Sequence, residues 1–287
     1  MKDKDFYKYI LSNLLFGFNG VAASYLVFSS TQIVLLRTLI GSLTLVALFL
    51  IGGGKFTFPR KKGQSLFLAL SGIAMGTSWM FLYEAYDRIG VSIGTLLYYC
   101  GPVIVMMSSP VFFRERLTAG ALTGFLTVLV GVFLINGGAV YGGMDLVGLV
   151  CGLLSAVTYA VMVICNKKAK DISGLENPTL QLIVSFLTVA VFVAVRGELG
   201  MRITAGDLLP IAVLGILGTG IGCYLYFSSI GKLPVQTVAV FGYLELVSAV
   251  VFAAVFLKES MHPLQWIGGA LIVGGAVLGE RLGKRKV

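Results

Sequence analysis

Apolar stretches of about twenty residues follow one another along the chain, separated by short turns or charged clusters. A bilayer core of roughly 30 Å needs about 20 apolar residues per crossing helix. Ten such spans can be laid down, at 8–28, 32–51, 64–86, 91–113, 118–138, 145–165, 178–196, 208–230, 234–257 and 263–280. The pattern predicts an all-α integral membrane protein of ten transmembrane helices in contact with a lipid bilayer. The first span has no convincing cleavage site and nine more follow it, so it reads as a retained helix and not as a signal peptide.

The pattern also repeats. Sliding the chain by 144 positions without a gap lays Gly76 on Gly220, Val91 on Val235, Tyr99 on Tyr243, Val103 on Val247, Glu115 on Glu259, Gly124 on Gly268 and Gly131 on Gly275. Matches of Val and Gly between apolar helices arise by chance. The loop match is more specific, because VFFRE at 111–115 and VFLKE at 255–259 both close a span with a basic residue and a glutamate. Two halves are therefore expected, 1–140 and 141–287, each of five helices. An odd number per half makes the halves enter the membrane in opposite directions. That is the plan of two inverted five-helix repeats, with a substrate site near the midplane between them.

Composition agrees, with 57% hydrophobic and 12% charged residues, far from the balance of a soluble domain. The formal charge of +9 does not form a basic face for nucleic acid. Of the 22 Lys and Arg residues, all but Arg37, Arg88, Arg196, Arg202 and Lys258 fall on one side of the predicted membrane. The positive-inside rule then places both termini in the cytoplasm. Cys100, Cys151, Cys165 and Cys223 lie within apolar spans without CxxC spacing and read as small buried hydrophobes. His262 is the single histidine, so a His-based metal site or catalytic triad is not expected. No HExxH or GxxxxGK[ST] run is present, and neither a cofactor nor an enzymatic activity is predicted.

At the level of whole motifs the chain resembles the EamA-like members of the drug/metabolite transporter superfamily. In each half the family pattern runs from a glycine-bearing helix through a short turn and a helix with a central proline to a glutamate and a Gly-rich helix. The first copy reads from GIAMG at 72–76 through GPV at 101–103 to VFFRE, and the second from GILGTGIG at 215–222 to VFLKE and GGALIVGGAVLG. Arg37 falls where such proteins often carry an arginine in the second span. One departure is plain: Pro102 fits the central proline, but its counterpart is Leu246, which leaves any kink there to be made differently. The resemblance implies ten helices, cytoplasmic termini in the plasma membrane, and a central cavity lined largely by spans 1, 3, 4, 6, 8 and 9. It further implies export of a metabolite such as an amino acid, amine or drug, while importers and exchangers are also described in the superfamily.

Candidate site residues follow from the cost of placing charge in hydrocarbon. Glu245 lies near the midplane of its span and is expected to face a cavity, where it could bind a cationic group or a coupling proton; a structural hydrogen bond is the alternative. Aromatic residues assigned to the same cavity are Phe16, Phe18, Trp79, Tyr83, Tyr98, Tyr99, Tyr159, Tyr224, Phe241 and Tyr243, which with an acid could cage an ammonium group. Asn19, before Gly20, needs a polar partner and could open the first helix locally. Arg37 reads as structural, snorkelling or paired with an acid, and Glu84, Asp87 and Arg88 as solvated helix-end charges. Small residues four apart in spans 5 and 10 predict close helix packing, within the monomer or in a homodimer. The expected partner is a small cationic or zwitterionic molecule. A secondary carrier fits better than a channel or sensor, for no loop is long enough to form a signalling module.

Overall fold

The computed structural model describes residues 3–57, 62–115, 117–136, 145–258 and 263–284, and these form ten helical segments. They are α1 (Asp3–Ser24), α2 (Ser30–Ile51), α3 (Lys62–Ile89), α4 (Val91–Tyr98 and Cys100–Phe113), α5 (Ala119–Asn136), α6 (Leu146–Lys168), α7 (Glu176–Val195), α8 (Ala205–Ile230), α9 (Val235–Phe241 and Leu244–Phe256) and α10 (Pro263–Lys284). The last two positions of the predicted fifth span, together with Glu259 and His262, lie outside the described residues. Gly90–Gly94 spells GVSIG, the spacing of a hydrolase nucleophile elbow. Here Gly90 alone makes the turn between α3 and α4, at φ 81°, and the four residues after it are the first of the α4 helix.

Seven segments, α2 to α4 and α6 to α9, are long and apolar enough to cross a bilayer. The apolar runs of α5 and α10 are shorter, Leu122–Leu134 and Trp266–Leu278. The first helix is the most polar because it turns polar residues inward: Ser12 and Asn13 are buried and both donate to the Tyr9 carbonyl at 2.7 Å. Along α6, exposed Val147, Val150, Leu154, Val157 and Val161 recur at helical spacing, a stripe that suits lipid and not water.

The halves are inverted about a pseudo-two-fold axis lying in the membrane plane. The Tyr243 hydroxyl donates to the Tyr99 carbonyl at 2.6 Å, and these positions are 144 apart. At the end of α4 the Glu115 carboxylate accepts from the Val235 N–H that opens α9, so the two helices run antiparallel. Their breaks coincide, at Tyr99 and at Gly242–Tyr243. In α4, Pro102 sits in the first turn after the break, where its missing N–H is not needed. In α9, with Leu246 at that place, the break is made without proline: the Tyr9 hydroxyl donates to the Val238 carbonyl at 2.7 Å, close beside Gly242. Arg114 and Lys258, also 144 apart, are the two non-glycine residues with positive φ among those described, at 55° and 57°.

Helix packing repeats the symmetry. A Cβ on Gly131 would stand 2.5 Å from the Gly268 carbonyl oxygen, and one on Gly275 would stand 2.7 Å from that of Gly124. The small-residue pattern of spans 5 and 10 therefore serves an intramolecular α5–α10 seam. Gly76 meets Thr188 at 2.9 Å in the same sense, while Gly220 meets Thr44 at 3.2 Å. These are reciprocal contacts between the third helix of one half and the second helix of the other.

Charges gather at both membrane faces. On the side away from the termini, Glu84 pairs with Arg88 at 2.6 Å and with Arg196, and Arg88 reaches Asp145 at 2.9 Å. This corrects the reading of Glu84 and Arg88 as simply solvated. The Arg88 hydrogen bond, helped by the Val147 N–H, holds the Asp145 carboxyl below the usual carboxylate range. On the terminal side, Lys232 pairs with Asp5 at 3.3 Å, and Lys167 donates to the carbonyls of Ile230 (2.8 Å) and Leu233.

Candidate functional site

A cavity of about 620 Å³ lies between the halves, lined by residues of α1, α3, α4, α6, α8 and α9 with Arg37 of α2. Its size falls in the range of small-molecule sites. On α1, α3, α4 and α9 the lining reaches Ser24, Tyr86, Val91 and Leu257, at the helix ends away from the termini. Towards the termini the cavity stops at a packed layer containing Tyr9, Met106, Phe227 and Val238. Tyr9 and Tyr226 stack there with ring centroids 5.5 Å apart. Access is thus on one side of the membrane, and close packing seals the other.

Of the residues predicted from sequence, Glu245, Asn19, Trp79, Tyr83, Tyr98 and Tyr99 line this cavity. Tyr224 and Tyr243 are placed elsewhere. The Tyr224 ring lies 5.3 Å from the Lys8 ammonium on the terminal side, and Tyr243 is fully buried against Tyr99, with ring centroids 5.4 Å apart. Phe16 and Tyr159, also assigned from sequence, line it, whereas Phe18 packs on Phe252 and Phe256 and Phe241 packs on Phe6; Asn13, Ser78, Tyr86, Thr95 and Tyr226 line it too. Tyr159 and Tyr226 share a hydroxyl contact of 3.2 Å, and Thr95 donates to Tyr86 at 3.0 Å.

Two opposite formal charges enter the cavity. Glu245 stands in the first turn of α9 after its break, where its carboxylate has no hydrogen-bond or ion-pair partner among the described residues. Arg37 is only 8% exposed and does not snorkel. Its Nε donates to Thr219 Oγ1 at 3.1 Å, and its guanidinium lies over the Trp79 ring at 4.5 Å. Among the described residues no carboxylate pairs with it.

Thr219 is held in place by an unusual local structure. Residues Val213–Ile221 of α8 form a π-helix, and Thr219 Oγ1 in turn donates to the Leu214 carbonyl at 2.9 Å. Such segments recur at functional sites because the extra residue per turn shifts side chains round the helix. The glycines of GILGTGI let neighbours approach this backbone: a Cβ on Gly218 would stand 1.9 Å from Asn19 Oδ1, and one on Gly215 would lie 2.6 Å from Ile40. Asn19 is thereby seated against α8 at the cavity wall.

Comparison with known proteins places this architecture. A family described as the EamA-like transporter family matches residues 8–137 and again 146–279. The chain is 24% identical to the "Uncharacterized transporter YxxF" of Bacillus subtilis (strain 168), covering 98% of this chain and 91% of that one. It is 26% identical to the "Threonine/homoserine exporter RhtA" of Escherichia coli (strain K12), over 88% of this chain and 81% of that one. A solved crystal structure matches the fold with a TM-score of 0.83 at 21% identity, covering 97% of this chain and 98% of its own.

Proposed function

The chain belongs to the EamA-like transporter family, and from that premise we propose that it is a secondary exporter of a small metabolite, an amino acid or amine, working by alternating access. It is a multi-pass membrane transporter, so its substrate is a small molecule. The observation that carries the finer reading is the unpaired Glu245 carboxylate in a cavity between two inverted halves. An ionised group in that position is costly unless hydrated or matched by a ligand charge. Glu245 binds the ammonium group of the substrate or a coupling proton, with Asn19, Trp79, Tyr83, Tyr98 and Tyr99 forming the surrounding wall.

Both termini are cytoplasmic in the plasma membrane, as the loop charges favour. The cavity then opens outward, and the layer of Tyr9, Met106, Phe227 and Val238 is the closed inner gate. The relative named as a threonine/homoserine exporter supports a substrate of amino-acid size. The two repeats, 1–140 and 141–287, supply the two walls of the site.

Reconstituted vesicles test the reading. Glu245→Gln preserves shape and hydrogen-bonding capacity, so the protein should fold, while transport falls about tenfold or more, the equivalent of roughly 1.4 kcal/mol. If Glu245 couples protons, the variant loses its response to a pH gradient. If Glu245 binds substrate, affinity for amines weakens and the gradient response survives. Normal turnover, affinity and pH dependence in the variant would remove Glu245 from the site.

A further inference from the structure

Arg37 is the one feature of the cavity that an amine site does not use. The sequence allows it to snorkel or to pair with an acid, and among the described residues it does neither. It is 8% exposed, and among the described residues no carboxylate stands within ion-pair distance. Among the described residues its single side-chain hydrogen bond uses Nε, donated to Thr219 at 3.1 Å, and one face of the guanidinium is covered by Trp79. The two terminal amino groups have no protein acceptor among the described residues, and the residue borders the cavity. A buried guanidinium in a membrane costs several kcal/mol unless matched. This one is fixed by its Nε contact and its stacking, which leaves the forked end free. That fork has the shape that binds a carboxylate through two parallel hydrogen bonds.

We propose that Arg37 is the anion-recognition group of the cavity, and that the substrate carries a carboxylate as well as an ammonium group. The proposal rests on the reading of the cavity as the substrate site and deepens it. Glu245 and Arg37 divide the two ends of a zwitterion. Thr219 and Trp79 are positioning residues that hold the guanidinium in one orientation. Discrimination against a molecule lacking the carboxylate follows from the cost of leaving the buried fork unmatched.

The protein reports on this site itself. It has two tryptophans, and Trp266 is exposed at 60%, so Trp266→Phe leaves Trp79, in contact with Arg37, as the sole indole fluorophore. The purified full-length protein is titrated with L-serine, L-leucine, L-valine and L-lysine, with the methyl ester of each, and with each decarboxylated amine. Free acids are expected to change Trp79 emission and to bind at least about tenfold more tightly than their esters and amines. In Arg37→Gln that preference disappears, and free acids bind no more tightly than their esters and amines. If Arg37→Gln does not fold, the ester comparison in the protein with Arg37 decides alone.

Esters and amines binding as well as acids, or acids binding unchanged in folded Arg37→Gln, would overturn the assignment of Arg37 and leave the cavity as an amine site. No response to any form in either protein would overturn the cavity reading together with the proposal built on it.

Discussion

Arg37 touches Thr219, and Gln181 touches Met75, with Gln181 Nε2 3.9 Å from the sulfur. Adding 144 to 37 gives 181 and subtracting 144 from 219 gives 75, so these are the same contact seen from the two halves. In one copy it holds a charge at the wall of the cavity. In the other it is neutral and packed away, with Asn166 donating to Gln181 at 3.4 Å. The same holds one step further along: the counterpart of Glu245 is Gly101, where the Tyr159 ring fills the space a side chain would take, 2.6 Å from a Cβ. The counterpart of the π-segment of α8, residues 69–77, is an ordinary α-helical stretch of α3. Symmetry in this molecule builds the frame, and it fails at Arg37 and Glu245, the two charged residues that border the cavity.

The sharpest way to break the comparison is to make the second half charged. Gln181→Arg places a guanidinium where the structure offers Met75 and Asn166 but no cavity, and is expected to cost about 2–3 kcal/mol. Thermal unfolding in detergent should show a marked loss, whereas Arg37→Gln in the first half should be tolerated. Equal tolerance of both changes would mean that the two sites do not differ as described.

Next in size is a change to the frame. Gly131→Leu forces a side chain into the Gly268 backbone, and overpacking of this kind costs about 1–3 kcal/mol. It should lower thermal stability and monodisperse yield, and Gly275→Leu should do the same by the same amount if the seam is truly reciprocal. A large difference between the two would show that the α5–α10 contact is not symmetric.

The smallest effect concerns orientation. Thr219→Val removes the acceptor of the Arg37 Nε, a hydrogen bond worth about 1 kcal/mol. Affinity for free acids, read from Trp79 emission, should fall roughly threefold to tenfold, with ester binding unchanged. A parallel loss for acids and esters would make Thr219 a packing residue.

Much of this was legible in the sequence, and the parts that were not share a cause. Depth in the membrane is written in hydropathy, so the ten helical segments could be read directly. The register of 144 could be read from VFFRE and VFLKE. Facing could not. In a span that is apolar all round, nothing in the pattern says which side meets lipid, and so Tyr224 was grouped with the cavity while Tyr86 and Tyr226 were passed over. The repeat places Tyr99 and Tyr243 at equivalent positions and so favours both for the cavity, but they contact each other and only Tyr99 reaches it. The π-segment left only a glycine-rich run as its trace. Such a run looks the same whether glycines admit a neighbouring helix or allow the helix itself to widen.

The glycine seam between α5 and α10 has a mechanical meaning. Backbones that touch through glycine can neither slide nor separate by small steps, because no flexible side chains lie between them to take up the motion. One strut of the molecule is therefore welded from the last helix of each repeat. The seam therefore crosses the division between the two sequence repeats. Any rocking that exposes the cavity to the other side must carry α5 and α10 together, as one piece owned by both halves.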